Sequence, residues 1–319
     1  MRIPLLVFLS LIGQLCFGQL TPVDLPFPNP GNITGVIHLS KKGHTSKQPL
    51  VVVLHGCSQD AAEIAHDSDW NKLSDSIGFH VLYPEQSTKN NITNCFNWFL
   101  DNDHSKNKGE VYSIERLIHQ TIDSFQIDTT RIFIYGVSAG GAMAGSLLVD
   151  YPTLFNAGAI VGGVPFGVAN SSSELLNALV HPQDKLPEEW AAIAKKENPT
   201  FTGNYPRLIA LHGTADRVVP ILAGYELIEQ WTGLHHLTMN PSKREPNFQN
   251  VAGLTRMSFK DSLGVEQIVF YEQENWGHAL MVDPGTGAHK GGNIGTFSKD
   301  GDWWSTYWIA VEFGLILSI

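Results

Sequence analysis

The stretch Ile134-Tyr135-Gly136-Val137-Ser138-Ala139-Gly140-Gly141-Ala142-Met143 constrains this chain more than any other. A β-branched and aromatic run at 131–135 leads into it, and a small-residue segment with helical spacing at 139–150 leads out. Gly136-Val137-Ser138-Ala139-Gly140 therefore satisfies G-x-S-x-G at a strand-to-helix junction, the context that gives this pattern physical meaning. Such a bend strains the serine backbone, and the flanking glycines let strand and helix approach closely. Ser138 then stands at a helix N-terminus, where free N–H groups and the positive dipole end favour developing negative charge. The bland alternative is a glycine-rich helix start.

The rest of the chain repeats the same alternation. Strand-like runs fall at 35–39, 50–55, 80–83, 131–135, 157–161, 208–212 and 267–271. Segments with helical spacing lie between or after them, at 64–77, 113–125, 139–150, 221–231 and 303–313. Several strands, such as Leu50-Val51-Val52-Val53-Leu54, are apolar throughout, as suits a parallel sheet covered on both faces. The expected fold is α/β, a mostly parallel central sheet with helices on both faces, in one catalytic domain over 19–319. The one long interruption, 165–207 with a helix expected at 188–196, reads either as a cap over the site or as an ordinary surface excursion.

The N-terminus reads as a secretory signal over 1–18. One early cation, Arg2, precedes an apolar run at 3–12, and Cys16 and Gly18 supply small residues for a cut before Gln19. The run is short against about 30 Å of hydrocarbon, so membrane insertion is not expected. A lipid anchor on Cys16 is disfavoured by Gln14 and Leu15, where such a signal wants small residues. The chain is expected to be secreted or periplasmic. A formal charge of −10 without a basic stripe argues against nucleic acid and anionic membrane surfaces. Loss of the signal leaves Cys57 and Cys95, most simply one disulfide in an exported protein, with two separate buried thiols as the alternative. Asn32, Asn91 and Asn170 head Asn-x-Ser/Thr sequons, relevant only in a host that glycosylates.

A serine hydroxyl needs a base to take its proton, and the base needs an acid to orient it. In this architecture the chain order is serine, acid, histidine. Among 13 histidines, His278 follows a strand-like run in a loop near the C-terminus, in Glu274-Asn275-Trp276-Gly277-His278-Ala279-Leu280. Its rivals His235, His236 and His289 lack a preceding strand. Asp216 follows the apolar run Leu208-Ile209-Ala210-Leu211-His212 and a Gly213 turn, and is the expected acid ahead of Asp261 and Asp283. His212 reads as structural. The oxyanion of an acyl-transfer intermediate needs two backbone donors. Ala139 N–H is the first; Cys57 N–H, in Leu54-His55-Gly56-Cys57-Ser58-Gln59, is the second, with Ser58 the neighbouring candidate. Trp98, Trp276 and Trp303 are expected to contact substrate, among nearby aromatics at Phe96, Trp304 and Tyr307; the alternative is that they fill the core. Nothing in the sequence asks for a metal, an organic cofactor or a protein partner.

With these residues assembled, the chain resembles the poly(3-hydroxybutyrate) depolymerase-like esterases, a group overlapping the acetylxylan and feruloyl esterases of carbohydrate esterase family 1. The resemblance runs in order through Leu54–Gln59, Trp70-Asn71-Lys72-Leu73, Val81-Leu82-Tyr83-Pro84-Glu85-Gln86 and Cys95-Phe96-Asn97-Trp98-Phe99. It continues through 136–143, 211–216, 276–280 and Val282-Asp283-Pro284-Gly285-Thr286-Gly287. It implies an α/β-hydrolase fold, a Ser138–Asp216–His278 triad and pairing of Cys57 with Cys95. Secreted polymer-degrading relatives often carry a linker and a separate binding domain, and neither is found here. Acetyl or feruloyl esters of plant polysaccharide are therefore the first expected substrates, with hydroxyalkanoate polyester second. A serine peptidase or a non-catalytic binding module are the remote alternatives.

Overall fold

The computed structural model describes residues 20–25, 28–42 and 46–316. The expected signal segment and Cys16 lie outside the described residues.

Ten strands form one sheet: β1 (Thr21–Pro22), β2 (Thr34–His38), β3 (Gln48–Leu54), β4 (His80–Glu85) and β5 (Ile127–Val137), then β6 (Ala157–Val161), β7 (Arg207–Gly213), β8 (Lys243–Glu245), β9 (Leu254–Lys260) and β10 (Glu266–Gln273). Their order is β1-β2-β4-β3-β5-β6-β7-β10-β9-β8. The central run from β4 to β10 is parallel throughout, and the two strands at each edge are antiparallel. The helices are α1 (Ala61–Ser68), α2 (Trp70–Ile77), α3 (Asp101–His104), α4 (Gly109–Ser124) and α5 (Ala139–Asp150), then α6 (Ser172–Val180), α7 (Pro187–Lys195), α8 (Ile221–Leu234) and α9 (Ser305–Glu312).

The all-apolar strands are apolar because both faces are covered, as expected. Along β3, Leu50, Val52 and Leu54 enter one core with residues of α4, α5, α7 and α8. Val51 and Val53 enter the other with α1, α2 and α9. Strand periodicity of two sends neighbours to opposite faces, and here both faces are dry.

Several elements differ from the sequence reading, among them β1, β8, α3 and α6, which have no counterpart in it. The helix expected at 64–77 is broken at Asp69, whose φ of 60° ends α1 and starts α2. β9 was not expected, because Arg256 interrupts its apolar pattern. That side chain is buried and matched by three carboxylates: Nη1 to Glu245 at 3.2 Å, Nη2 to Glu266 at 2.5 Å and Nε to Glu312 at 2.9 Å. A buried charge is tolerated when fully paired in this way. The 165–207 segment carries α6 and α7, and α7 is pinned by Trp190, which is 0% exposed and lies in the core with Trp231 of α8.

Candidate active site

Parallel strands deliver their C-terminal ends to one edge of a sheet, and side chains gather in the crevice there. Gly56 and Cys57 follow β3, Ser138 follows β5, Gly162 follows β6, Asp216 follows β7 and His278 follows β10. All of them line a single cavity of about 220 Å³.

Ser138 has φ 55° and ψ −121°, a backbone strained for a residue with a side chain. Its N–H is held by Val161 O at 2.8 Å and its carbonyl by Ala142 N–H at 3.0 Å. Glycine at 140 is obligatory: a Cβ there would sit 2.4 Å from His55 O and 2.5 Å from Leu54 O. α5 begins at the next residue, so Ala139 N–H has no intrahelical acceptor and the helix dipole points its positive end at the cavity.

The acid and the histidine come from adjacent parallel strands whose loops are stitched together. β7 and β10 are in register up to Gly213 and Gln273. Beyond them Thr214 N–H donates to Gln273 O (2.9 Å), Ala215 N–H to Trp276 O (2.9 Å) and Asn275 N–H to Thr214 Oγ1 (2.9 Å). This stitching brings His278 Nδ1 to 2.6 Å from Asp216 Oδ2. Asp216 Oδ1 accepts from Val218 N–H (2.8 Å) and Val219 N–H (2.9 Å). Burial alone would raise this carboxyl, but the hydrogen bond and charge of His278 and the two amides outweigh it and hold Asp216 below its ordinary value. An ionised carboxylate fixes the proton on Nδ1 and leaves Nε2 as the acceptor.

Of the rival residues, His212 lines the same cavity, its Nε2 3.7 Å from Asp216 Oδ2, while His235, His289, Asp261 and Asp283 are engaged elsewhere. His212 is buried, with Nε2 2.8 Å from Val219 O, and burial pushes its pKa down, as suits a structural imidazole. His235 Nε2 lies 3.3 Å from Pro206 O, and His289 packs on Tyr307 at 4.5 Å. Asp261 caps its own turn through Leu263 and Val265 N–H, and Asp283 pairs with Lys290 at 2.6 Å.

Cys57 and Cys95 form a disulfide that closes 38 residues of chain. A bridge over a loop of that length stabilises by about 3–4 kcal/mol in the loop-entropy account. Between the two candidate donors beside it, Ser58 N–H is already taken by Thr93 O at 2.6 Å, and Cys57 N–H meets no acceptor among the described residues.

The three expected substrate tryptophans separate. Trp276 lines the cavity, with its Nε1–H donated to Ala279 O at 2.8 Å. Trp303 does not: it is 2% exposed in the core, its ring 5.0 Å from that of Tyr271. Trp98 is also buried, edge-on to Phe99 at 5.6 Å. For both, large apolar area drew the ring into the interior, so neither borders the cavity as expected, whereas Trp276 does. Sequence reasoning missed Phe297, Val218 and Gln59, all of which line the cavity. Phe297 sits in a loop with no motif, and no spacing in the sequence signals it.

Residues 35–242 match the family model described as Esterase PHB depolymerase. The chain belongs to the PHB depolymerase esterase family. Poly(3-hydroxyalkanoate) depolymerase C of Paucimonas lemoignei is 32% identical over 297 residues, covering 93% of this chain and 70% of that one. Feruloyl esterase B of Talaromyces stipitatus is 27% identical over 89% of this chain and 78% of its own length. Among solved structures, an acetyl xylan esterase from Aspergillus awamori superposes with a TM-score of 0.74 at 25% identity, over 82% of this chain and 94% of that one. The expected α/β-hydrolase fold and ester-hydrolase class both stand, and as a family member the chain is a carboxylic-ester hydrolase.

In this esterase Gly162 stands against the imidazole. Its φ is 58°, and a Cβ there would lie 3.1 Å from His278 Cε1 and 3.3 Å from Nδ1. Gly162→Ala should add about 1–2 kcal/mol of left-handed strain and shift the ring. A displacement of a few tenths of an ångström is expected to cost at least about tenfold in kcat, since 1 Å can cost about a hundredfold. Steady-state kinetics on a folded variant checks this; an unchanged kcat would show that the glycine does not govern ring placement.

Proposed function

We propose that this esterase works by acyl transfer through Ser138, His278 and Asp216, and that it acts after export on acyl esters of a hydroxyl-rich polymer such as xylan. The observation that carries the reading is the 2.6 Å contact of His278 Nδ1 with Asp216, in the same cavity as a serine held at φ 55°. Ser138 Oγ attacks the ester carbonyl while His278 Nε2 takes its proton. The carbonyl oxygen becomes an anion, received by Ala139 N–H and Cys57 N–H. Collapse breaks the C–O bond, and the imidazolium returns its proton to the leaving alcohol. Water then repeats the sequence, releasing the acid and free Ser138. Asp216 stays ionised and stabilises the imidazolium. Export is supported by the pattern of residues 1–18 and by a disulfide, which persists in oxidising compartments.

The substrate reading rests on what adjoins the cavity. A groove of about 1460 Å³ shares Ser58, Gln59 and Phe297 with it and continues past Asp60, Glu63, Asp67, Asn71 and Asn293. The same lining includes Lys41 and Lys72, so it offers donors as well as carboxylate acceptors. Sugar hydroxyls both donate and accept and can use either kind. A polyester backbone carries only acceptors and can pair only with the donors. The second reading, a hydroxyalkanoate oligomer, is favoured by the identity to the Paucimonas enzyme and by the apolar wall of Val137, Val161, Leu211 and Val218.

Acetylated xylo-oligosaccharide, methyl ferulate and hydroxybutyrate trimer, compared under one set of conditions, separate the readings. A sugar ester should exceed the trimer in kcat/KM by at least about tenfold, or about 1.4 kcal/mol. Preference for the trimer would remove the polysaccharide reading and leave the triad untouched.

A further inference from the structure

The Gly56–Cys57 peptide carries the second oxyanion donor in the reading above, and the inference below rests on that reading. A trans peptide points its C=O and N–H in opposite directions. Whatever holds Gly56 O therefore also aims Cys57 N–H. The disulfide does not do this, because it tethers the Cys57 side chain and leaves the peptide plane free to turn. Glycine on one side of the bond makes that turn easy.

Gly56 O lies 2.8 Å from Nδ1 of His55, a side chain that is 0% exposed, and takes only a longer second bond from Gln59 N–H at 3.4 Å. The other ring nitrogen, Nε2, lies 3.1 Å from Gln86 N–H. A backbone N–H can only donate, so Nε2 is the bare nitrogen and Nδ1 carries the hydrogen that it gives to Gly56 O. Burial acts in the same direction, pushing the His55 pKa down and keeping the ring neutral, against the opposing pull of the Gly56 bond and of Asp60. Gln86 is itself immobilised. Its Nε2 donates to Glu110 at 2.5 Å and to Cys95 O at 3.2 Å, and its Oε1 accepts from Asn90 Nδ2 at 2.7 Å. Glu110, 1% exposed, also accepts from Asn97 N–H at 2.7 Å and Asn97 Nδ2 at 2.6 Å. The amide on the other side of Gly56 is held too, its N–H donating to Gln59 Oε1 at 3.0 Å.

We propose that His55 is a positioning residue for the ester hydrolysis: anchored by Gln86, it locks the Gly56–Cys57 peptide so that Cys57 N–H faces the cavity before substrate arrives. The ring touches no reacting atom. Its effect is to remove a peptide turn that would otherwise point a carbonyl oxygen, rather than a donor, at the developing anion.

The test uses the full chain and two substitutions that place an amide at different ends of the ring. Asn at 55 puts Nδ2 where Nδ1 stands; Gln carries its amide to the Gln86 end, where Oε1 can accept from Gln86 N–H, and leaves Gly56 O only the longer 3.4 Å bond from Gln59 N–H. His55→Gln should lower kcat for p-nitrophenyl acetate by about 10- to 100-fold with KM within about twofold, since outright loss of one oxyanion donor costs about 10²–10³. Affinity for a trifluoromethyl ketone, whose adduct carries the oxyanion, should fall in parallel. His55→Asn should recover most of both. Equal damage from Asn and Gln, or a folded Gln variant with kcat within twofold of the parent, would overturn the proposal. Should His55→Gln fail to fold, Gln86→Met removes the side-chain anchors of the same relay. It should lower kcat several-fold at constant KM, and an unchanged kcat there overturns the proposal equally. An inert Ser138→Ala alongside keeps a failure here distinct from a failure of the triad.

Discussion

Ser138→Ala should reduce p-nitrophenyl acetate turnover to a residue set by the oxyanion hole and binding alone, a loss on the order of 10⁶-fold in kcat. The size follows from what is removed. Without Oγ there is no atom to form the acyl intermediate, and His278 has no proton to take. The fold should survive. Ser138 holds its place through backbone contacts to Val161 and Ala142, which an alanine keeps. The strain of φ 55° also remains, because alanine tolerates that region no better than serine. Circular dichroism and a melting curve beside the kinetics separate the two effects. Retained turnover in a folded variant would mean that another nucleophile does the work.

Asp216→Asn should lower kcat about 10⁴-fold at neutral pH while leaving the site assembled. Val218 and Val219 N–H both donate to Oδ1, so an asparagine oxygen is drawn to that side. Its NH₂ then faces His278 Nδ1, which must become the acceptor. The ring proton moves to Nε2, the nitrogen that must be bare to receive the serine proton. The variant therefore holds the wrong tautomer, and its KM should change little. A stability consequence accompanies this. Asp216 has its pKa held below the ordinary value, so it stabilises the fold above its unfolded pKa and loses that contribution as pH falls through the folded one. Melting temperatures of parent and variant should differ at pH 7, begin to draw together as pH falls below about 4, the ordinary carboxylate value, and converge only below the lowered folded pKa. A constant difference across that range would remove the charge from the explanation.

The sequence was most informative where local chemistry decides local shape. Apolar runs long enough to be dry on both faces became central parallel strands, and glycines around Ser138 became the bend. The meeting of Asp216 and His278 was legible because each follows a strand, and parallel strands empty into one crevice. Residues whose role depends on partners distant in sequence were not legible. Arg256 hid β9 because its three carboxylates lie 10, 11 and 56 residues away. Trp303 and Trp276 look alike in the string, yet Tyr271 covers one while the other borders the cavity. Phe297 reaches the cavity from a loop that carries no pattern of its own. The break at Asp69 was hidden because apolar spacing continues through it, from Ile64 and Ala65 to Trp70 and Leu73.

The central claim is that one hydroxyl, at residue 138, is made nucleophilic by the imidazole at residue 278. A fluorophosphonate probe followed by peptide mass spectrometry examines both halves at once. The expected result is one equivalent of label on the peptide containing Ser138, with labelling slowed by orders of magnitude in a folded His278→Ala variant. Label on a different residue, or equal labelling rates with and without the imidazole, would contradict the account.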